Sequence, residues 1–182
     1  GKPGVASMPA ALLTQGTTTK AAPEIATAIE QLGASIGAGA GADFTNVYAN
    51  APKDVFGRTL TLMADLVRNP TFAAEELERQ QSQTLDGLRV ALSQPGSVAS
   101  QSVGRVIYGD APYGAPGSGT VNSIPALTRD DVAVFHSDRF RPSQATLVFS
   151  GDVTPAEARA LADEAFGDWR DAGPAPAAID KA

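Results

Sequence analysis

The chain has 182 residues, with 14 Lys plus Arg against 20 Asp plus Glu and a formal net charge of −6. This length suits one domain with its own core, and the acidic balance disfavours nucleic acid as a partner because phosphate contacts need clustered cations. The sequence has no cysteine, which excludes disulfides, thiolate zinc sites and thiol nucleophiles.

The first half of the chain predicts helices interrupted by one hairpin. A short apolar helix is predicted over 4–15 and an amphipathic one over 23–32, each ended by a glycine. Residues 34–50 have no helical period and alternate small with larger residues. They predict a hairpin whose first strand has almost no side-chain bulk.

The second half predicts further helices and a single strand. Helical patterns cover 52–69, 73–94, 97–108, 128–140 and 154–169, and the apolar run 144–150 predicts a buried strand. This order favours an α+β fold with helices packed on a small, mainly antiparallel sheet. We expect one domain over residues 1–170 and an Ala/Pro-rich linker over 171–182. No apolar run is long enough to span a membrane.

The single histidine limits the chemistry that the chain can perform. A catalytic zinc site usually takes two or three imidazoles, and His136 is the only one in the sequence. It falls in the middle of a predicted helix, where a partly buried structural role is favoured. The alternative is a hydrolase that uses His136 with a serine, but the sequence has no G-x-S-x-G elbow.

The acidic residues and the glycine run have structural explanations of their own. The acids lie where predicted helices begin, and a negative charge there interacts favourably with the helix dipole. This explanation is favoured over a metal site for Glu75, Glu76, Glu78, Asp130 and Asp131. The run GAGAG at 37–41 lacks the strand–glycine–helix order of a dinucleotide site. Small residues in a strand allow either close packing of a helix, which spacing alone favours, or addition of an extended peptide by main-chain hydrogen bonds. The peptide-contact candidates are Gly37, Ala38, Gly39 and Ala40.

Four stretches in a fixed order carry a resemblance to a known family. They are GVASMPAALLTQGTTTKAAPEIATAIEQLGASIGAGAGAD, RNPTFAAEELERQQSQTLDGL, YGDAPYGAPGSGT and LTRDDVAVFHSDRFRPSQATLVFSGDVTPAEARALADEAFGDW. Together they reach nearly the whole chain up to Trp169. The chain resembles the pitrilysin/insulinase-type zinc metallopeptidases, which include the mitochondrial processing peptidases.

The resemblance implies a dismantled zinc site. Catalytic members carry H-x-x-E-H, in which two histidines bind zinc and the glutamate activates water. These three positions fall on Ser7, Ala10 and Ala11 of this chain. The remaining glutamate ligand falls near Gly87, with Asp86 as its acidic neighbour. We therefore expect no catalytic residue, no metal and no other cofactor in this chain, and zinc in a partner half.

The same resemblance implies a role beside an active enzyme. Family members enclose a chamber between two halves, and the half without zinc helps to position the peptide. We expect a non-catalytic domain that forms chamber wall and aids peptide binding with a zinc-bearing half, in the same chain or in another subunit. The alternative is a purely structural subunit, like the peptidase-derived core subunits of respiratory complexes.

Two further expectations follow from the resemblance. Family domains begin with strands ahead of the motif helix, so we expect the sheet here to lack its leading strands and to leave an edge for another chain or domain. Bacterial relatives of this type are often exported, which favours a periplasmic or secreted location over a cytoplasmic one.

Overall fold

The computed structural model describes residues 2–171 and residue 173. Three single-turn 3-10 helices lie at Lys53–Val55, Pro112–Gly114 and Pro142–Gln144. The strands are β1 (Ser35–Ala40) and β2 (Thr45–Asn50). The helices of this range are α1 (Ser7–Leu12), α2 (Ala22–Gln31), α3 (Phe56–Arg68), α4 (Ala74–Leu92), α5 (Pro95–Tyr108), α6 (Arg129–Arg139) and α7 (Pro155–Phe166).

Threonine capping boxes begin the last two helices. The Asp131 N–H donates to the Thr128 hydroxyl at 3.1 Å, and the Thr128 N–H donates to the Asp131 carboxylate at 2.9 Å. Thr154 and Glu157 make the same reciprocal pair at 3.3 and 2.7 Å. Each box gives a hydrogen-bond acceptor to two backbone N–H groups that the start of a helix would otherwise leave without one. Both helices therefore begin at a defined residue. Both starts confirm the predicted ones.

The predicted hairpin is confirmed. β1 and β2 pair antiparallel in a continuous register from Ser35↔Asn50 to Ala40↔Thr45. The Gly41 N–H donates to the Phe44 carbonyl at 2.8 Å and closes the turn between the strands. One face of the hairpin packs on the helices through Ile36, Val47 and Ala49.

Helix α3 occupies the centre of the packing. Its residues form one apolar cluster with α7 and the hairpin, made by Leu60, Met63, Ala64, Val67 and Ala165. A second cluster joins α1, α4 and α6 through Met8, Leu12, Phe72, Leu77, Leu88, Ile124, Leu127 and Val132. Burial of these side chains is the main favourable term that holds the helices together. Helices packed on a small antiparallel sheet confirm the predicted α+β class.

The buried strand predicted over 144–150 is wrong. Residues 145–150 form no strand ladder, and the Val148 side chain is 80% exposed. Phe149 alone turns inward, where its ring meets Phe56 edge-on with centroids 6.1 Å apart. A strand needs a hydrogen-bonded neighbour, and in the described part of the chain the sheet consists of β1 and β2 only.

Helix α5 forms as predicted, but its apolar residues Val103, Val106 and Ile107 are exposed. The linker predicted over 171–182 lies outside the described residues except for Asp171 and Gly173, so the division at residue 170 stays a prediction. Among the residues described, no helix combines the length and the apolar character that a membrane span requires.

Candidate functional site

Helix α1 carries the three positions at which catalytic relatives are expected to hold zinc ligands and the base. Met8 and Leu12 turn into the core, and Ala10 is itself buried at 4% exposure. The Ser7 hydroxyl donates to the Gly117 carbonyl at 2.7 Å, which ties the first turn of α1 to the loop after α5. Ala11 has no polar group. The helix is therefore fixed by packing and by one serine contact, and it offers no metal ligand.

Gly87, the fourth expected ligand position, lies on α4. Its neighbour Leu88 packs in the same cluster as Met8 and Leu12 of α1, so the two helices are in contact. A methyl group added at Gly87 would meet no atom within 4 Å. The structure therefore brings together the two helices that carry the expected ligand positions, but the position on α4 has no side chain to extend toward α1.

Zinc does not fit the residues that are present. Zinc sites in proteins use imidazole, thiolate or carboxylate side chains, and a serine, two alanines and a glycine supply none of these. Throughout residues 2–171 no group of three or more His, Asp or Glu side chains lies close enough to hold a metal ion. A buried glutamate at position 10 would lack a compensating cation, which disfavours it in this core.

Strand β1 lies beside the positions that match the zinc motif, because α1 contacts β1, and in the part of the chain that the structure describes its second edge pairs with no strand. Paired residues alternate between hydrogen-bonded and non-hydrogen-bonded along an antiparallel ladder. Since Gly41 and Phe44 form a hydrogen-bonded pair, Gly39 and Gly37 also bond to β2. The backbone groups of Ala38 and Ala40 therefore point away from β2, toward the open edge.

The two glycines of β1 have different surroundings. A methyl group at Gly37 would come within 2.5 Å of the Tyr48 hydroxyl, because the Tyr48 ring lies across Gly37 on the outer face of the hairpin. A methyl group at Gly39 would touch nothing within 4 Å. The small residue at 37 is thus explained by packing, against a tyrosine and not against a helix. Peptide contact at residues 37–40 stays a prediction.

His136 is a structural residue. Its Nε2 lies 2.8 Å from the Val67 carbonyl and donates to it. Its ring stacks on Phe140 at 4.6 Å and meets Phe72 edge-on at 5.3 Å. Burial lowers the pKa of His136 below its ordinary value, and the bond to Val67 opposes this only in part. The free lone pair is then on Nδ1, and among the described residues no serine hydroxyl bonds to it, which argues against the hydrolase alternative.

The acidic residues serve helix starts and ion pairs. Glu76 lies in the first turn of α4 and pairs with Arg79 at 2.6 Å. Asp131 accepts from Lys2 at 2.6 Å and from Thr128, and these bonds lower its pKa to about 2. Both contacts agree with the structural explanation of these acids.

A polar network around Asp65 was not predicted. Its carboxylate accepts from the Thr17 and Thr19 hydroxyls at 2.9 and 2.8 Å and from the Asn69 amide at 2.8 Å. Partial burial raises the pKa of Asp65, but the bonds from Asn69, Thr19 and Thr17, with the nearby Lys20, lower it overall. The network pins the loop after α1 to α3. A three-threonine run is a weak local signal, and its partner lies 48 residues away.

Family profiles divide the chain into two adjoining parts. The profile described as insulinase, peptidase family M16, matches residues 2–120. The profile described as the peptidase M16 inactive domain matches residues 126–181.

Known proteins are similar over nearly the whole chain. An uncharacterized zinc protease of Mycobacterium leprae is 30% identical over 156 residues, which are 86% of this chain and 35% of that protein. The crystal structure of a peptidase M16 inactive domain from Pseudomonas fluorescens has a TM-score of 0.90 at 32% identity, over 99% of this chain and 44% of that one. The ferredoxin protease FusC, crystallised as a mutant with Arabidopsis ferredoxin, shares the fold, with a TM-score of 0.81 at 22% identity over 98% of this chain and 20% of that one.

The chain thus spans about a third of the Mycobacterium relative and less than half of the Pseudomonas structure. The profile match over residues 2–120 and the order of the motifs agree with the fold, in which helices pack on a hairpin. The positions that match the zinc motif carry no side chain that binds zinc. The chain belongs to the insulinase family of peptidases, peptidase family M16, as a peptidase-like half-domain without the zinc motif.

Proposed function

We propose that this chain is the non-catalytic part of a two-part zinc metallopeptidase. In this role it forms chamber wall and holds an extended peptide, while a zinc-bearing half, in the same chain or in a separate subunit, cleaves the amide. The zinc is a resident of that partner half. The periplasmic or secreted location implied by the resemblance belongs to the same proposal.

One observation carries the proposal. Helix α1, with Ser7, Ala10 and Ala11 at the positions that match the zinc motif, contacts β1, and in the described part of the chain the Ala38 and Ala40 backbone groups face the edge of β1 that pairs with no strand. A strand edge next to the positions without ligands supports binding of an extended peptide there. A fold neighbour, FusC, has been crystallised with a protein bound, which supports a binding role for this fold.

The residues of β1 act on the peptide through their backbone. An extended peptide beside β1 donates to the carbonyls and accepts from the N–H groups of Ala38 and Ala40, as in strand addition. These bonds do not depend on the peptide's side chains, so they accept many peptide sequences. In this proposal the chain activates no water, since the ligand positions on α1 and α4 carry no imidazole or carboxylate.

Peptide turnover by the assembled enzyme tests the proposal. The natural protein is combined with the half that carries H-x-x-E-H, taken from the same chain or an adjacent gene, and kcat/KM is measured on a fluorogenic peptide. Ala38→Pro removes an edge donor without removing a bond to β2, as edge strands tolerate. We expect about a tenfold loss of kcat/KM, the effect of about 1.4 kcal/mol.

Gly39→Ala is the matched control, because the Gly39 backbone groups bond to β2 and so make no main-chain bond to the peptide in this arrangement, although the sequence names Gly39 a peptide-contact candidate, and the added methyl group would meet no atom within 4 Å. It is expected to keep kcat/KM within about twofold. Wild-type kcat/KM for Ala38→Pro, with the chain still assembled, would contradict peptide binding at β1. In that case the structural-subunit alternative is the better account.

A further inference from the structure

A hydrogen bond ties the hairpin tip to a loop that is far away in the sequence. The Tyr113 hydroxyl donates to the Asp43 carboxylate at 2.5 Å across 70 residues. Asp43 lies in the turn between β1 and β2, and Tyr113 lies in the 3-10 helix Pro112–Gly114 after α5. The donor is neutral and the acceptor is charged, which is the stronger class of hydrogen bond.

The loop that carries Tyr113 packs closely on α5. A methyl group at Gly104 of α5 would lie 3.3 Å from the Tyr113 carbonyl, so helix and loop approach closely. Gly114 is equally constrained, because a methyl group there would collide with the Gly109 carbonyl. Arg105 donates to the Gly109 carbonyl at 3.0 Å and pairs with Asp110 at 2.5 Å. These contacts place the backbone at Tyr113, and the Tyr113 ring lies 5.5 Å from the Tyr108 ring.

The hairpin tip lacks a comparable anchor from packing. At the base of the hairpin, Ile36 and Ala49 pack against the helical cluster. Near the tip the facing pair is Ala40 with Thr45, which has little apolar area, and the Phe44 side chain is 72% exposed. The Asp43 carboxylate is thus the tip's polar attachment to the rest of the domain.

We propose that the Asp43–Tyr113 hydrogen bond is a latch that fixes the tip of the hairpin and so sets the position of the peptide-binding edge of β1. Tyr113 is then a positioning residue that acts on peptide through Asp43. The link to peptide rests on the function proposed above, but the latch itself does not. The bond to Asp43 raises the pKa of Tyr113, so the hydroxyl keeps its proton under neutral conditions.

Hydrogen exchange tests the latch directly in the natural protein. Tyr113→Phe removes the hydroxyl and keeps the ring. We expect the backbone amides of residues 39–46 to exchange about fivefold faster, while amides in α3 and the unfolding temperature stay as in the wild type. Tyr108→Phe is the matched control, because it removes a hydroxyl from the adjacent ring, 5.5 Å away, without touching Asp43. It is expected to leave exchange at 39–46 unchanged.

A double substitution separates the latch from general loosening. If Asp43 and Tyr113 act through one bond, Asp43→Ala added to Tyr113→Phe raises exchange no further. Exchange within twofold of wild type in Tyr113→Phe, an equal rise in Tyr108→Phe, or additive rises in the double variant would each overturn the latch.

Peptide affinity gives the second measurement. Tyr113→Phe is expected to weaken binding of the fluorogenic peptide several-fold, measured as KM in the assembled enzyme, with kcat changed less than KM. Unchanged KM alongside faster exchange would overturn the link to peptide while leaving the latch. If instead the Ala38→Pro variant keeps the wild-type kcat/KM, the proposed function is refuted. The two failures are therefore distinguishable.

Discussion

The one histidine of the chain shows how a single residue is explained by its contacts. The Nε2–H of His136 donates a hydrogen bond to the Val67 carbonyl, and its ring packs against Phe72 and Phe140. Its position in the middle of a predicted helix favours a structural role from the sequence alone. Its partner Val67 was not predictable, because the bond joins residues 69 apart that meet only when α6 packs beside α3.

Burial of His136 predicts a pH dependence of stability. Its pKa in the folded chain lies below the ordinary value of about 6.5, so the unfolded chain binds the proton more readily. The free energy of unfolding therefore falls as the pH drops from about 6.5 toward the folded-state pKa. His136→Gln removes this titration and, through lost ring packing, costs about 1–2 kcal/mol at pH 7.5.

Urea unfolding between pH 7.5 and pH 5 measures this effect. The stability of the wild type is expected to fall more steeply over that interval than the stability of His136→Gln. Parallel pH profiles for the two proteins would show that the pKa of His136 is the same in the folded and the unfolded chain, which would contradict the prediction.

At the scale of elements, local signals predicted the helices and the hairpin well. Capping threonines at 128 and 154 marked the starts of α6 and α7, and Gly33, with φ of 57°, follows α2 where a left-handed residue ends a helix. These features act within one turn of the chain. The strand predicted at 144–150 failed because a strand also needs a neighbour, which local sequence does not specify.

Two substitutions in that segment test its observed placement. Val148→Asp is expected to change the free energy of unfolding by less than about 0.5 kcal/mol, because the side chain is exposed. Phe149→Ala is expected to cost about 2 kcal/mol, since its ring packs on Phe56 and the helical cluster. Both values come from urea unfolding of the chain. A large loss for Val148→Asp would restore the buried strand that the sequence predicts.

At the scale of the whole molecule, the positions of the expected zinc ligands follow from the motif order and stay a prediction, whereas their surroundings require the structure. The resemblance assigned Ser7, Ala10, Ala11 and Gly87 to the ligand positions without any structure. The contact between α1 and β1 and the bond from Ser7 to Gly117 depend on long-range packing. The Tyr48 ring across Gly37 likewise required the register of the hairpin, since two strands must pair before these residues meet.

The central claim is that this half-domain has lost its metal site, and zinc content tests it most directly. The chain is purified with excess zinc, shown to unfold cooperatively, dialysed and measured by elemental analysis. The account predicts less than about 0.1 zinc per chain, because no ligand set of the kind that zinc requires is present. One zinc per chain that is lost when Glu75, Glu76 and Glu78 are changed to glutamine would contradict it.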